Sequence, residues 1–285
     1  MTGSDRFDHD ASVDAVRVYF DALGAAEWDR LGSDLAGRVS VEVHRRFLAR
    51  FLEPGMRVLE VGAGPGRFTI MLASLGARVV VTDLSPVQLE LNARYVAEAG
   101  HESAVESRVL LDVCDVSRFD DGEFDAVVAY GGPLSYAFDR AGAALDGLLR
   151  ITRTGGPVVA SVMSTLGAYR HFLPAVLELA EQYGDDVNDR IISSGDLRET
   201  QPPGSGQHTC RMFRSRDIAA LVAAAGATVT GLSASNWASM GDPEALASLA
   251  ADADRWRHFL DNEAAMCAEP GAADGGTHLL FAASR

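Results

Sequence analysis

The sequence predicts an α/β fold built on a doubly wound, mostly parallel sheet. Three observations carry that reading. Residues 57–66, Arg-Val-Leu-Glu-Val-Gly-Ala-Gly-Pro-Gly, run from a short apolar strand into glycines at positions 62, 64 and 66. Residues 67–75 then read as a helix that Gly76 stops. Short apolar runs recur down the chain with helical stretches between them, the pattern of a sheet covered on both faces.

The elements follow in order. After the first strand and its glycine turn, Ala77–Asp83 is a second apolar strand that ends in a carboxylate, and Ser85-Pro86 is a helix start. A third strand ends near Val109-Leu110-Leu111. Strand 4 is Ala126–Tyr130, followed by Gly131-Gly132-Pro133, and a helix from Leu145 to Ile151 leads to strand 5, Val158–Val162. Residues 217–226 read as a helix with Asp217 as N-cap and Gly226 as stop, before strand 6 at Ala227–Leu232. Residues 242–269 read as helical with Pro243 in a first turn, and His278–Ala283 is strand 7.

Two segments lie outside this alternation and divide the chain into 1–52, 53–163, 164–212 and 213–285. Residues 11–52 place Val13, Val16, Phe20 and Leu23 on one helical face, then Trp28 and Leu31, then Val43, Phe47, Leu48 and Phe51 on another. Residues 164–212 open with a helix over Tyr169–Tyr183, interrupted near Pro174. They continue through Gly195 and Pro202-Pro203-Gly204-Ser205-Gly206 as a flexible loop.

Composition narrows the function. The 285 residues are 47% hydrophobic, enough for one large domain or a domain plus a cap. No apolar run approaches the ~20 residues of a membrane span. The polar, acidic start of the chain is not a signal peptide. Cys114, Cys210 and Cys267 are scattered and odd in number, which fits a reducing cytoplasm and no metal site. A net charge of −15 argues against DNA or RNA as a substrate. Monomer and homodimer both stay open.

The glycine spacing separates two ligands. In the dinucleotide fingerprint G-x-G-x-x-G, counted from Gly62, the third glycine falls on Arg67. The pattern present, E-x-G-x-G-x-G from Glu60 to Gly66, resembles motif I of the class I S-adenosylmethionine-dependent methyltransferases. The D-x-S-P string at Asp83–Pro86 and the L-L-R-x-x-x-x-G-G string ending at Gly156 are similar to that family as well. The likeness covers about residues 50–165 well and 210–285 more loosely.

The resemblance implies a Rossmann-like sheet of seven strands in the order 3-2-1-4-5-7-6, strand 7 antiparallel, with an N-terminal helical lid and a cap after strand 5. It implies S-adenosyl-L-methionine as cofactor, with S-adenosyl-L-homocysteine as product. Glu60, Gly62, Ala63, Gly64 and Gly66 would lie along its amino-acid end. Asp83, with Leu84 beside it, would bind the ribose hydroxyls. Asp115 would take the adenine amino group and the backbone of Val116 a ring nitrogen, with Asp112 as the competing acid. Tyr130 and Gly131 would face the methionine part, and Tyr19, Trp28 and Arg30 the cofactor side of the lid.

For the acceptor, the resemblance points to Pro133 and Tyr136 after strand 4 and to Tyr169 and Phe213 around the cap. His208 and His171 are candidate general bases, since imidazole titrates near neutrality. His278 reads as a structural hydrogen-bonder or a third such base. Gly131-Gly132-Pro133-Leu134 lacks the polar head that amino-methyltransferases of nucleobases and glutamine carry, so the implied acceptor is a small molecule, methylated at oxygen or nitrogen. The Ala-, Gly- and Arg-rich, Lys-poor composition resembles actinobacterial proteins and suggests natural-product tailoring. An NAD-dependent oxidoreductase is disfavoured by Arg67 and by the lack of a Tyr-x-x-x-Lys pair. A non-catalytic scaffold has no need to keep Glu60, Gly62, Gly64, Asp83 and Asp115 together.

Overall fold

The computed structural model describes residues 9–30, 32–200 and 208–285. Residues 1–8, Leu31 and the 202–206 loop read from the sequence lie outside the described residues. The strands are β1 (Arg57–Val61), β2 (Arg78–Asp83), β3 (Val105–Leu110), β4 (Ala126–Ala129), β5 (Val158–Met163), β6 (Thr228–Ala234) and β7 (His278–Ser284). They form one sheet in the order β3-β2-β1-β4-β5-β7-β6. The first five are parallel, and β7 runs antiparallel between β5 and β6. The expected topology and the direction of strand 7 are therefore as observed.

Alternation along each strand explains why both faces are covered. Leu59, Val61, Val127, Ala129, Val158, Ala160 and Phe281 point to one core, which α7 (Ala141–Ile151) and α11 (Ser215–Ala224) close with Leu145, Leu148, Ile218 and Val222. Their neighbours Val58, Val79, Val81, Val128 and Leu280 point to the other. There α3 (Leu35–Leu48) and α4 (Arg67–Ser74) supply Phe47, Leu48, Phe68 and Leu72.

The remaining helices frame the carboxyl ends of the strands. α1 (His9–Leu23) and α2 (Ala26–Arg30) form the N-terminal lid, and α5 (Pro86–Glu98) follows β2. Ser85 caps α5 by accepting the Gln88 N–H at 3.1 Å, with Pro86 in the first turn, as the sequence predicts. The short α6 (Pro133–Tyr136) leaves β4. The cap consists of α8 (Thr165–His171), α9 (Leu173–Tyr183) and α10 (Asp186–Ser194), and α12 (Pro243–Ala250) and α13 (Ala253–Cys267) lie beside α3.

The helical stretch over Tyr169–Tyr183 is interrupted near Pro174, as the sequence predicts: it is two helices that break at Phe172, since Pro174 has no N–H and begins a new helix more readily than it continues one. The helical span near 242–269 is two helices, each opened by an Asp cap, Asp242 and Asp252. One cap differs from expectation. Asp217 is not the N-cap of α11 but sits inside its first turn, accepting the Arg214 N–H at 2.9 Å.

Gly66 holds the fold together at one narrow point. Its φ is +101°, and a Cβ there would lie 2.9 Å from Val96 Cγ2 and 3.1 Å from Asn92 Nδ2. Gly66→Ala is expected to destabilise the protein by about 2–4 kcal/mol, from left-handed backbone strain plus overpacking. Denaturant unfolding checks this, and an unchanged midpoint would refute it.

Candidate active site

The glycine turn is fixed from two sides. Gly64 N–H donates to Asp83 Oδ2 at 2.8 Å and Ser85 N–H to Asp83 Oδ1 at 2.8 Å, so the end of β2 is bound to the turn after β1. Beneath the turn, Thr69 Oγ1 donates to Glu60 Oε2 at 2.6 Å. Asn92 Nδ2 donates to Thr69 at 2.8 Å, and Arg108 Nε donates to Asn92 Oδ1 at 2.9 Å. Gly62 and Gly64 have φ of +65° and +52°, a conformation that a glycine adopts without strain.

Above the turn lies a pocket of about 930 Å³ including its open mouth, within the range of nucleotide and drug-sized sites. Its floor is Val61, Gly62, Ala63, Gly64, Pro65 and Phe68, and one side is Asp83, Leu84 and Gln88. Leu111, Asp112 and Val113 line another edge, and Tyr130, Gly131, Pro133 and Tyr136 line the β4 end. Val13, Val16 and Phe20 of α1, with Glu27 and Arg30 of α2, roof it. These residues fit a nucleoside cofactor with an amino-acid tail. The backbone is open at the two ends of the floor: a Cβ on Gly131 would meet nothing within 4 Å, and one on Gly64 only Glu27 Cγ at 4.0 Å.

Burial sets the charge states. Asp83 is 8% exposed, and burial raises its pKa to about 6 against the pull of the Ser85 and Gly64 N–H groups, so it is ionised at neutral pH. Glu60 is 1% exposed. Burial raises it to about 8, the Thr69 hydrogen bond opposes, and its Oε1 has no hydrogen-bond partner. Burial lowers His208 to about 4, aided by the Arg30 charge, and lowers His44 to about 4. His278 is pushed well below its ordinary value by burial and by Arg30, and its Nε2 is unpartnered. Tyr136, raised well above 10 by burial, shares a 2.8 Å hydrogen bond with His208 Nε2.

Several sequence-read positions change role. Asp115 is exposed and caps the Ser117 N–H at 3.1 Å, and Val116 is buried against the α7 side of the sheet. Asp112, the competing acid, is the one on the pocket wall. The chain turns immediately after β3, so Asp112 reaches the pocket and Asp115, further along the loop, does not. Glu60 lies below the turn and Gly66 packs on α5, so both shape the turn from outside the pocket. Trp28 faces away from the pocket, 4.7 Å from the Tyr95 ring, with the Arg67 guanidinium 4.4 Å from its own ring centre. Tyr19 stands behind the lining, 5.3 Å from the His208 ring.

On the acceptor side, Pro133 and Tyr136 line the pocket and His208 backs Tyr136. Phe213 is 1% exposed within the core, because its backbone pairs with the end of β5. Tyr169 and His171 sit on the exposed face of α8, and the His171 ring stands 4.6 Å from that of Phe172. Neither lines the pocket.

The sequence reading passed over Glu27 and Arg67. Glu27 grips Arg30 with contacts of 2.7–2.9 Å, a pairing signalled by an i,i+3 charge pair in the lid. Arg67, read only as an obstacle to a dinucleotide, donates to Trp28 O at 2.5 Å and ties lid to turn. The described residues also bring together one group of three potential ligands, His9, Asp112 and Cys114. His9 is far from the others in sequence, so spacing gave no sign of it.

Comparison with known proteins agrees with this geometry. Residues 58–156 match the family model described as a methyltransferase domain. Over 158 residues the chain is 34% identical to the demethylmenaquinone methyltransferase of Clavibacter sepedonicus, covering 53% of this chain and 58% of that protein. Over 204 residues it is 28% identical to tuberculostearic acid methyltransferase UfaA1 of Mycobacterium tuberculosis, covering 65% of this chain and 45% of that one. The chain thus spans about half the length of these two curated relatives. Its fold is shared with magnesium protoporphyrin IX methyltransferase (ChlM) from Synechocystis PCC 6803, solved with bound SAH. The TM-score is 0.60 at 14% identity, over 96% of this chain and 99% of that one. Residues 58–156 thus carry the likeness to a methyltransferase domain, and the fold around them is the one shared with ChlM.

Two measurements probe the site. Asp112→Ala is expected to weaken binding of S-adenosylhomocysteine by about 1.5–3 kcal/mol in calorimetry, the value of a hydrogen bond to a charged group. Asp115→Ala is expected to leave it unchanged, and the reverse result would restore Asp115. For Glu60, a folded-state pKa above the unfolded one means its contribution is fully present below about pH 4.5 and is lost as pH rises through about 8. Glu60→Gln should therefore gain stability relative to the parent by about 1.4 kcal/mol per pH unit within that window. Paired denaturant titrations at pH 5 and pH 8 read the difference, and a constant gap would refute it.

Proposed function

We propose that the chain transfers the methyl group of S-adenosylmethionine to an oxygen of a small, largely apolar acceptor of the secondary-metabolite kind. The observation that carries this reading is the gathering, in one pocket, of the glycine turn, two acids at the ends of β2 and β3, and Gly131 with Tyr136 after β4. Asp83 offers lone pairs to the ribose hydroxyls, Asp112 accepts from the adenine amino group, and Arg30 offers its guanidinium to the amino-acid carboxylate. The bound cofactor supplies a sulfonium methyl that is displaced in line. Every other contribution is alignment and exclusion of water.

The Tyr136–His208 pair favours oxygen over nitrogen. A neutral amine already has its lone pair, whereas a hydroxyl gives up a proton. Tyr136 faces the pocket with its phenol in contact with a neutral imidazole. An acceptor hydroxyl placed against Tyr136 passes its proton to the phenol oxygen as the phenol passes its own to His208 Nε2. With His208 held to about 4, the base is weak. It matches an acceptor that parts easily with its proton, a phenol or carboxylic acid, better than an aliphatic alcohol. The apolar lining and the net charge of −15 support a neutral or weakly acidic small molecule and not a nucleic acid. The relatives, whose names specify a quinone and a fatty acid, support an apolar acceptor. A cytoplasmic setting fits the free thiols of all three cysteines.

A panel of phenols, carboxylic acids, alcohols and amines, incubated with methyl-labelled cofactor and read by mass spectrometry, tests the reaction. Label in phenols or acids is expected, and label in amines alone would overturn the oxygen assignment. Tyr136→Phe and His208→Gln are expected to lower kcat by about 10²-fold, the lower range for a lost acid–base group, with unchanged affinity for S-adenosylhomocysteine. A loss confined to cofactor affinity would remove the pair from the proton path.

A further inference from the structure

We infer that His9, Asp112 and Cys114 form a binding site for a zinc-class divalent ion at the adenine edge of the pocket, and that its occupation excludes the cofactor. One donor atom from each side chain lies within 4.8 Å of the others. His9 Nε2 and Asp112 Oδ2 are 3.6 Å apart, too long for a hydrogen bond. Two nitrogen or oxygen ligands of a tetrahedral zinc at 2.0–2.1 Å stand about 3.3 Å apart, so the pair is already near ligand spacing. Asp112 is oriented for it: its Oδ1 accepts the Cys114 N–H at 2.9 Å, which leaves Oδ2 toward His9.

The donor set and its placement both suit such an ion. Imidazole, thiolate and carboxylate together select zinc or its neighbours over calcium or magnesium, which take oxygen ligands. Three protein ligands leave a fourth position for water. Cys114 is the half-buried one of the three cysteines, while Cys210 and Cys267 are buried. Its thiol releases its proton to solvent on ligation, so binding strengthens with pH. The ligands come from two elements, His9 from the start of α1 and the others from the loop after β3. An ion there would pin the lid to that loop.

Exclusion follows from Asp112, which lines the pocket. Oδ2 directed to a cation is withdrawn from an adenine amino group, and the ion's charge repels that donor. This half of the inference rests on the assignment of Asp112 to adenine made above. The affinity of Asp112→Ala in metal-free buffer tests that assignment separately.

The experiment uses the untagged full chain with cobalt(II) as the spectroscopic probe and zinc(II) as the competitor. Cobalt is expected to give a thiolate charge-transfer band that is lost in Cys114→Ser and weakened in His9→Gln. With zinc in tenfold excess over its dissociation constant, the parent should bind S-adenosylhomocysteine about tenfold more weakly, by mass action. Cys114→Ser, which lies off the pocket wall, should show no such shift. Absence of the band, or its persistence in Cys114→Ser, would overturn the site. Zinc binding that leaves the homocysteine affinity intact would overturn the exclusion.

Discussion

The hydrogen bond from Gly64 N–H to the Asp83 carboxylate carries the pairing of β1 and β2 on into the glycine turn. β1 and β2 are paired up to Val61 and Thr82, and one more backbone bond, Ala63 N–H to Thr82 O at 3.0 Å, follows. The carboxylate takes over, holding the turn with one oxygen and the start of α5 with the other. Each oxygen still carries lone-pair capacity for a ligand hydroxyl. The same group therefore builds the turn and presents a charge to the pocket, and its burial is compensated by the N–H dipoles of Gly64 and Ser85. Below it, the chain Glu60–Thr69–Asn92–Arg108 anchors β1, α4, α5 and β3 to one another. The turn is rigid because it is supported by polar contacts from every element around it.

The fold was legible because it is written in local, periodic signals. Val58-Leu59, Val79-Val80-Val81 and Val127-Val128 are runs that only a sheet buried on both faces accommodates, and the glycines at 62–66 admit few backbone paths. The acid on β2 was legible for the same reason, since a strand end fixes its position. Asp112 and Asp115 were harder to separate. Three residues apart in a loop, they differ only in where the chain bends, and periodicity does not describe a bend. The pocket side of Glu27 and Arg30, and the outward turn of Trp28, depend on how α2 rotates on the turn. That rotation is set by Arg67 reaching the Trp28 carbonyl, a contact across about forty residues that leaves no trace in local pattern. Phe213 looked like a substrate contact because it follows the cap, but its backbone pairing with the end of β5 turns it into the core.

The acidic composition conceals a local inversion. Around the β4 end of the pocket the charge of Arg30 reaches His44, His208 and His278, and all three imidazoles are held neutral. Glu27 pairs with that arginine at short distance, so the region presents paired or uncharged groups in a chain of net −15. An apolar acceptor meets no large field there. The cap contributes little to this interior: α9 has no buried residue, and its neighbour α10 makes the packed contact through Val187 and Ile191.

The roof of the pocket has a kinetic meaning. α1 has Val16 as its single buried side chain. It is held to the body chiefly by Ser85 to Asp21 at 2.5 Å and by Gln88 to the carbonyls of Phe20 and Gly24. With so little apolar burial, α1 sits at the low-stability end of the structure. Undocking of α1 would open the pocket from above, since Val13, Val16 and Phe20 line it. A roof held this lightly is the part of the pocket that opens at least cost, above a turn held by polar contacts.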